Sequence, residues 1–232
     1  MLDRHILLRL LMSFLLFHAA AAVADGLDIY LVRHAQTEAN ASGVNDKRTS
    51  STFSNAGESQ IRQLTGDLMK YKFDAVLVSP TERTVYTIAP YLRATGKTGI
   101  IWPEIAECCW QKDRDNLDSG HLEWGKEINL PEEISAQFTF REGVPTRGYA
   151  NRNYADGLAQ IRQAASLIKD RYYGSGKSIL LVTHYHAGGL LMAQLLGVER
   201  ESLPGLENAG ISHLRQTADG RFNLLMLNGQ TR

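Results

Sequence analysis

The stretch IYLVRHAQTEAN, residues 29–40, changes character halfway along. Its first four residues are apolar, with β-branched and aromatic side chains, which is typical of a buried strand. The rest is polar, so we expect the strand to end near Arg33, with His34 directly after it. Because open α/β sheets bind ligands at the carboxyl ends of their strands, Arg33 and His34 are candidates for a functional site.

A second apolar stretch, residues 179–183, also runs directly into a histidine, His184. If the two strands are parallel neighbours, the two histidines meet over one crevice. Further short strands are expected at residues 75–79, 99–102, 210–214 and 222–227. Because the first strands alternate with helical patterns, the sequence predicts an α/β fold: a three-layer sandwich with a mainly parallel sheet flanked by helices.

The helices are predicted from apolar spacing and from their end signals. Asn55 and Glu58 resemble a capping box, so a helix should follow a Ser/Thr/Asn-rich loop at residues 41–54. A long helix is expected at residues 154–173. Another helix follows His184 and should stop at Gly197.

Two prolines bear on the helix that carries Arg83. Pro80 suits the first turn of that helix, and Pro90 should kink or end it. Residues 103–150 show no clear period and are interpreted as an elaborated region over the ends of the sheet.

Residues 1–24 have the features of a secretory signal peptide. Arginines precede the apolar run at residues 10–17, and Ala22-Val23-Ala24 forms a small-x-small cleavage pattern. The alternative is an uncleaved anchor, but the run is shorter than the about 20 apolar residues that span a bilayer comfortably. We expect cleavage after Ala24, a single domain at residues 25–232, and a periplasmic or secreted location.

Charge is balanced, with 25 Lys and Arg against 25 Asp and Glu. This balance argues against a nucleic-acid partner. After the signal segment no apolar stretch is long enough for a stable membrane span. Nothing in the sequence specifies an oligomeric state.

Cys108 and Cys109 are the only cysteines, and they are adjacent. Export would allow them to oxidise, but a vicinal disulfide is strained and supplies no framework of cross-links. Two thiols are also too few for a structural zinc site. Their redox state stays open.

Several polar residues fall on the same edge of the predicted sheet. Besides Arg33, His34 and His184, these are Arg83, just past the second strand, and Glu107, in the loop after the third. Arginine presents a planar fork of donors that matches phosphate oxygens. A histidine with one unprotonated ring nitrogen is a nucleophile, and a neighbouring carboxylic acid can protonate a leaving alkoxide. These residue types suit phosphoryl transfer without a metal.

At these positions the chain resembles the histidine phosphatase superfamily, whose members look like phosphoglycerate mutase. The family's opening pattern, Arg-His-Gly-x-Thr/Ser-x-x-Asn, stands here as RHAQTEAN at residues 33–40. Four later patterns follow in the family's order: Ser54, Gly57 and Gln60; Ser79, Arg83 and Thr87; His184 with Leu195-Leu196-Gly197; and the closing turn at residues 206–211. Each is weak alone, but together they cover nearly the whole mature chain. The resemblance implies a phosphoglycerate mutase-like fold.

The resemblance also implies roles for the polar residues. His34 would be the nucleophile that forms a phosphohistidine. Arg33, Arg83 and His184 would hold the phosphoryl oxygens. Glu107 would protonate the leaving group and then activate water.

Asn40, Tyr185 and His186 fall where members of this family contact substrate. The resemblance implies no cofactor and no metal, and a small phosphorylated substrate. Together with the signal peptide, it predicts an exported phosphatase that hydrolyses small phosphate monoesters, with sugar phosphates as one option. A phosphomutase of the same family is the nearest alternative.

Two departures from the family pattern leave a second alternative open. Ala35 replaces the glycine after the nucleophile, and Tyr185 replaces the glycine after the second histidine. A protein that binds phosphate ligands without turnover would fit a pocket crowded in this way. A three-histidine metal site is another option, since His184 and His186 would share a face if the strand continued through them.

The proton donor is also open, because Glu107 stands in the unusual context Glu-Cys-Cys-Trp. Glu104, Asp113 and Asp115 are alternative acids. Three arginines of the same region, Arg141, Arg147 and Arg152, are either solvated loop charges or ligands for a second anionic group.

Overall fold

The computed structural model describes residues 26–109, 122, 127–144 and 153–231. Its strands are β1 (Asp28–Arg33), β2 (Ala75–Val78), β3 (Gly99–Ile101), β4 (Phe138–Phe140), β5 (Ser178–Thr183), β6 (Ile211–Gln216), β7 (Phe222–Leu227) and β8 (Gln230–Thr231). They form one sheet in the order β4-β3-β2-β5-β1-β6-β7-β8. The first five strands in that order are parallel, and β6 to β8 extend the sheet with antiparallel pairs. The predicted mainly parallel sheet is confirmed.

The register of the central strands brings the site residues to one edge. Arg33, the last residue of β1, pairs with Thr183, the last residue of β5. His34 and His184 therefore leave the sheet side by side. On the other side of β5, Val78 at the end of β2 pairs with Val182. Residues that follow β2 consequently reach the same edge.

The helices are α1 (Glu38–Ser42), α2 (Lys47–Ser51), α3 (Asn55–Leu68), α4 (Glu82–Thr95), α5 (Glu132–Ser135), α6 (Tyr154–Tyr172) and α7 (Tyr185–Leu196). Short 3-10 helices lie at Pro103–Ile105 and Arg200–Ser202. The predicted long helix is confirmed as α6. So is the helix that Gly197 stops, since Gly197 adopts the left-handed conformation after α7.

Helices cover both faces of the sheet, as a parallel sheet requires. One core cluster packs Ile29, Leu31 and Leu181 against Ala164 of α6 and Leu191 of α7. The other places side chains of alternate strand residues, such as Val32 and Val182, against α3 and α4. Both faces of β1 and β5 are thus buried, which explains their unbroken apolar sequences.

Residues 41–54 were predicted as a loop, and this is wrong in part because α1 and α2 lie there. Each of these five-residue helices begins with a capping box. Thr37 and Asn40 form the first box, and Asp46 and Thr49 form the second. Such short helices have no apolar face to reveal them, so only the caps signal them.

Three helix-end predictions need correction. The N-cap of α3 is Ser54 rather than Asn55, because the Ser54 hydroxyl accepts the N–H of Gly57. Pro80 precedes the N-cap of α4, Thr81, and so lies outside the first turn. Of the two effects expected of Pro90, a kink or an end, the end is wrong, because α4 continues to Thr95. The residues of α4 on both sides of Pro90 are buried in the core, and that burial offsets the lost hydrogen bond.

The region after β3 holds more regular structure than its pattern indicated. It contains α5 and β4, and β4 pairs with β3 over three residues, too few to show an alternating pattern. The predicted signal peptide, together with Asp113, Asp115, Arg147 and Arg152, lies outside the described residues. None of the helices that the structure describes is long and apolar enough to cross a membrane.

A buried ion pair joins the segment after β3 to the end of β4. Oε1 of Glu104, which is fully buried, accepts a hydrogen bond from Nη2 of Arg141 at 2.5 Å. The guanidinium of Arg141 lies over the Trp102 ring, 4.5 Å from its centroid. Arg141 is therefore a buried structural residue and not a solvated loop charge.

Replacing Glu104 by Leu should leave the buried guanidinium of Arg141 without its counter-charge. We expect the free energy of unfolding to fall by about 3–5 kcal/mol. The double variant Glu104→Leu/Arg141→Met should recover most of this loss, because it buries no charge. Urea denaturation measures both. An unchanged midpoint for the single variant would contradict the importance of the pair.

Candidate active site

His34 lies at the carboxyl end of β1 and is 4% exposed. Its Nδ1 lies 2.8 Å from the carbonyl oxygen of Ala35. A carbonyl oxygen only accepts hydrogen bonds, so Nδ1 must carry the proton. In the neutral ring Nε2 therefore holds the lone pair, as a nucleophile requires.

Backbone hydrogen bonds hold the chain around His34. The N–H of His34 donates to the carbonyl of Thr183 at 3.0 Å, and the N–H of Ala35 donates to the Thr87 hydroxyl at 3.0 Å. Nδ2 of Asn208 donates to the His34 carbonyl at 2.9 Å. The backbone that presents the imidazole is thus fastened from three elements of the fold.

The motif Ser54-x-x-Gly57-x-x-Gln60 holds the next residue, Gln36. Oε1 of Gln60 accepts the N–H of Gln36 at 2.8 Å, and the Ser54 hydroxyl donates to Oε1 of Gln36 at 2.7 Å. A Cβ at Gly57 would overlap the carbonyl oxygen of Gln36. Only glycine lets α3 approach this closely, so the motif serves to position the loop after His34.

Ala35 fits its position without backbone strain. Among the described non-glycine residues, positive φ is confined to Cys109, Ala209 and Asn228. Ala35 therefore does not need the conformational freedom of the glycine it replaces.

Two arginines give the site its positive charge. Burial lowers the pKa of Arg83 to about 10, against the opposing effect of the Glu107 carboxylate, so Arg83 stays protonated at neutral pH. Burial likewise lowers the pKa of Arg33, whose Nη1 donates to the carbonyl of Leu206 at 2.8 Å. Within the described residues the buried Nε of Arg33 has no hydrogen-bond partner. That donor is suited to an anion.

His184 is fully buried, with both ring nitrogens in hydrogen bonds. Nε of Arg83 lies 3.3 Å from Nδ1 of His184, and the Ser79 hydroxyl lies 2.7 Å from Nε2. Arginine only donates, so Nδ1 accepts, Nε2 carries the proton and Ser79 accepts from it. His184 is therefore neutral here and orients Arg83. Its ring centroid lies 5.3 Å from that of His34.

The carboxylate of Glu107 binds the N-terminus of α7. Its Oε1 accepts the N–H of Ala187 at 2.9 Å, and Nδ1 of His186 lies 3.5 Å from its Oε2. Burial alone raises the pKa of Glu107, but the contacts with His186, the Ala187 N–H and the Arg83 charge together lower it. Glu104, an alternative candidate for the proton donor, is instead held in an ion pair with Arg141.

Asn40, Tyr185 and His186 lie around these groups. Oδ1 of Asn40 accepts from Nδ2 of Asn208 at 3.1 Å, which ties α1 to the loop that holds His34. His186 contacts Glu107, as described. Two guanidinium groups lie near the Tyr185 ring, with Cζ of Arg33 at 5.0 Å and Cζ of Arg200 at 5.8 Å from its centroid.

The premise of the three-histidine metal site is wrong. β5 ends at Thr183, so His184 is the N-cap of α7 and His186 lies within the helix. The two side chains do not alternate along a strand. In the part of the chain that the structure describes, no three His, Cys, Asp or Glu side chains come together in a way that can hold a metal ion.

The structure adds residues that the sequence did not indicate as part of the site. Ser79 orients His184, Thr87 holds Ala35, and Asn208 holds His34. Their only sequence signal was membership of the motifs quoted above. Partners as distant along the chain as His34 and Asn208 leave no local pattern.

The model of the histidine phosphatase superfamily (branch 1) matches residues 29–229. The chain belongs to this family. The "Adenosylcobalamin/alpha-ribazole phosphatase" of Salmonella typhi is 27% identical over 75% of this chain and 82% of that protein. The "Probable phosphoglycerate mutase GpmB" of Photorhabdus laumondii is 26% identical over 74% of this chain and 76% of that protein.

Solved structures show the same fold. The alpha-ribazole phosphatase from Shigella flexneri aligns with a TM-score of 0.59 at 21% identity, over 87% of this chain and 96% of that chain. The mycobacterial glucosyl-3-phosphoglycerate phosphatase aligns with a TM-score of 0.58 at 19% identity, over 88% of this chain and 99% of that chain. The expected phosphoglycerate mutase-like fold is confirmed.

Replacing Tyr185 by Leu should remove the ring that holds the Arg33 guanidinium. We expect kcat/KM for a phosphate monoester to fall about 5–30-fold, which corresponds to a cation–π contact of about 1–2 kcal/mol. Tyr185→Phe keeps the ring and is the matched control. Steady-state kinetics compare them, and equal kcat/KM for Leu and Phe would show that Arg33 does not need the ring.

Replacing His186 by Ala should change the pH dependence. The His186 contact lowers the pKa of Glu107, so its loss raises that pKa and keeps the acid protonated to higher pH. The pH dependence of kcat/KM reports the pKa values of the protein without substrate. The pH at which kcat/KM falls on the alkaline side should therefore be higher in the variant. His213→Ala, near the amino end of β1, is the control. An alkaline limb that does not move would exclude this electrostatic role.

Proposed function

We propose that the chain is an exported, metal-independent phosphatase that hydrolyses small phosphate monoesters through a phosphohistidine at His34. The observation that carries the proposal is the Nδ1 contact with the Ala35 carbonyl, which leaves the lone pair on Nε2. The buried Arg83, the half-buried Arg33 and the carboxyl group of Glu107 belong to the same site. These are the parts that phosphoryl transfer requires.

The first step forms the phosphoenzyme. Nε2 of His34 attacks phosphorus, and the bond between phosphorus and the ester oxygen breaks. Glu107 gives its proton to the departing oxygen, so the alcohol leaves neutral. Arg33 and Arg83 hold the equatorial oxygens and neutralise their charge, while His184 keeps Arg83 in place.

The second step releases phosphate. Glu107, now a carboxylate, takes a proton from a water molecule that attacks the phosphohistidine. The bond between phosphorus and Nε2 breaks, and inorganic phosphate leaves. His34 returns to its starting tautomer because the Ala35 carbonyl still binds the proton on Nδ1.

The acid form of Glu107 depends on the substrate. In the unliganded site its pKa is lowered. A phosphate dianion beside it adds negative charge, and a like charge raises the pKa of a carboxyl group. Substrate binding therefore favours the protonated form that the first step uses.

Substrate size and charge follow from the enclosure of the site. One buried and one half-buried arginine beside the buried His34 favour a terminal phosphate, which presents three oxygens, over a diester. The names of the relatives mention different substrates: one is an alpha-ribazole phosphatase and another a phosphoserine phosphatase. We include sugar phosphates among the candidates.

Two features support export. Residues 1–24 have the signal-peptide pattern. Cys108 and Cys109 are paired as a disulfide, a bond that persists mainly in oxidising compartments.

A phosphomutase is the second candidate, favoured by the name of the Photorhabdus relative. The same phosphohistidine would then return its phosphoryl group to a second hydroxyl instead of to water. Release of phosphate separates the two functions, since a mutase isomerises a glycerate phosphate with little net release.

The proposal predicts that residues 25–232 release phosphate from 4-nitrophenyl phosphate in the presence of a chelator. His34→Ala should lower kcat by at least about 10³-fold, because nucleophile and intermediate are both lost. His213→Ala should retain activity. Phosphate release is measured colorimetrically from acidic to neutral pH.

Other outcomes separate the rivals. Full activity in His34→Ala, or activity that the chelator abolishes, would contradict the proposal. Tight vanadate binding with no hydrolysis of any phosphate monoester would favour the non-catalytic alternative.

A further inference from the structure

Cys108 and Cys109 are joined by a disulfide directly after Glu107. Both are buried in the core cluster that includes Ile105 and Ile161. The N–H of Cys108 donates to Oε1 of Glu107 at 3.1 Å. The cross-linked pair is thus bonded to the same carboxylate that the N-terminus of α7 binds.

Hydrogen bonds fasten the chain on the other side of Glu107. The Thr183 hydroxyl donates to the carbonyl of Ile105 at 2.8 Å. Nε2 of Gln160 donates to the carbonyls of Glu104 and Ala106, at 3.1 and 3.0 Å. Hydrogen bonds from both β5 and α6 therefore hold the chain segment that precedes Glu107.

The disulfide holds the chain beyond Glu107. Cys109 has φ of 68°, a left-handed conformation that residues other than glycine rarely adopt. A bond between adjacent side chains closes a small ring and so limits the backbone to few conformations. Without the bond, the backbone of Cys108 and Cys109 is less restricted, and the N–H that Cys108 donates to Glu107 is held less firmly.

The neighbouring helix is shaped around the pair. Gly157 lies inside α6, where glycine lowers helix stability. A Cβ at Gly157 would overlap Sγ of Cys109 and lie 3.4 Å from Sγ of Cys108. The glycine therefore makes room for the two sulfur atoms.

We propose that the Cys108–Cys109 disulfide positions Glu107 for proton transfer, and that its reduction weakens that transfer. The inference rests on the proposed function. A dithiol reductant breaks the S–S bond, and two electrons and two protons form two S–H bonds. The reductant closes to its own disulfide.

Leaving groups of different basicity test this role. Phenyl phosphate needs a proton for its leaving group more than 4-nitrophenyl phosphate does, at nearly equal size. On reduction with dithiothreitol, kcat/KM for phenyl phosphate should fall about tenfold, part of the about 10²–10⁴ that general acid catalysis supplies. For 4-nitrophenyl phosphate the fall should be under about threefold. Because the chain has 2 cysteines, thiol titration verifies complete reduction.

Two variants sharpen the test. In Glu107→Gln, reduction should cause no further selective loss, because the group it acts through is already gone. The double variant C108A/C109A should match the reduced wild type and ignore the reductant. Gly157→Ala, which displaces the pair without changing its redox state, should show the same selectivity for leaving groups if the double variant fails to fold.

The same experiments distinguish a wrong role for the disulfide from a wrong proposed function. The inference alone is overturned if the reduced protein, with two titratable thiols, still hydrolyses both substrates through His34 and keeps the ratio of their kcat/KM values unchanged. Loss of the circular dichroism of the fold on reduction also overturns it, since the bond then supports the whole domain. No hydrolysis in either redox state, or hydrolysis that His34→Ala retains, contradicts the proposed function.

Discussion

One hydrogen bond decides which ring nitrogen of His34 holds the lone pair. The carbonyl of Ala35 accepts from Nδ1 of His34, and the lone pair of the neutral ring is thereby placed on Nε2. This carbonyl stays in place because its own residue is held by Thr87 and the next by Gln60. The sheet register, the α3 motif and the closing turn all act on this one short segment. Their common result is that the His34 ring is held in one orientation and one tautomer, the state that the proposed nucleophile needs.

The charged groups of the site are balanced against one another. Arg83 remains cationic although it is buried, and neutral His184 orients it without adding a like charge. Glu107 balances the arginines, and its carboxylate also caps α7. In the mechanism we propose, a substrate phosphate takes over part of this balance, so that the carboxyl group of Glu107 serves first as an acid and then as a base.

The sequence predicted the parts that have local patterns. β1 and β5 could be recognised as apolar runs, each followed by a histidine. Because the carboxyl ends of parallel strands lie at the same edge of a sheet, the sequence also predicted that His34 and His184 lie close together. The bond between Ser79 and His184 joins residues 105 positions apart and has no local pattern. α1 and β4 are too short for periodicity to show. An end of α4 at Pro90 was wrong, because core burial outweighs the missing hydrogen bond in α4.

We propose that Nε2 of His34 carries the phosphoryl group during turnover. The most direct measurement is ³¹P and ¹⁵N NMR of the phosphoenzyme, trapped by rapid quenching into base, in chain labelled with ¹⁵N-histidine. We expect one phosphohistidine, bonded through Nε2 and absent from His34→Ala. Phosphate bonded through Nδ1, or found on another residue, would contradict it.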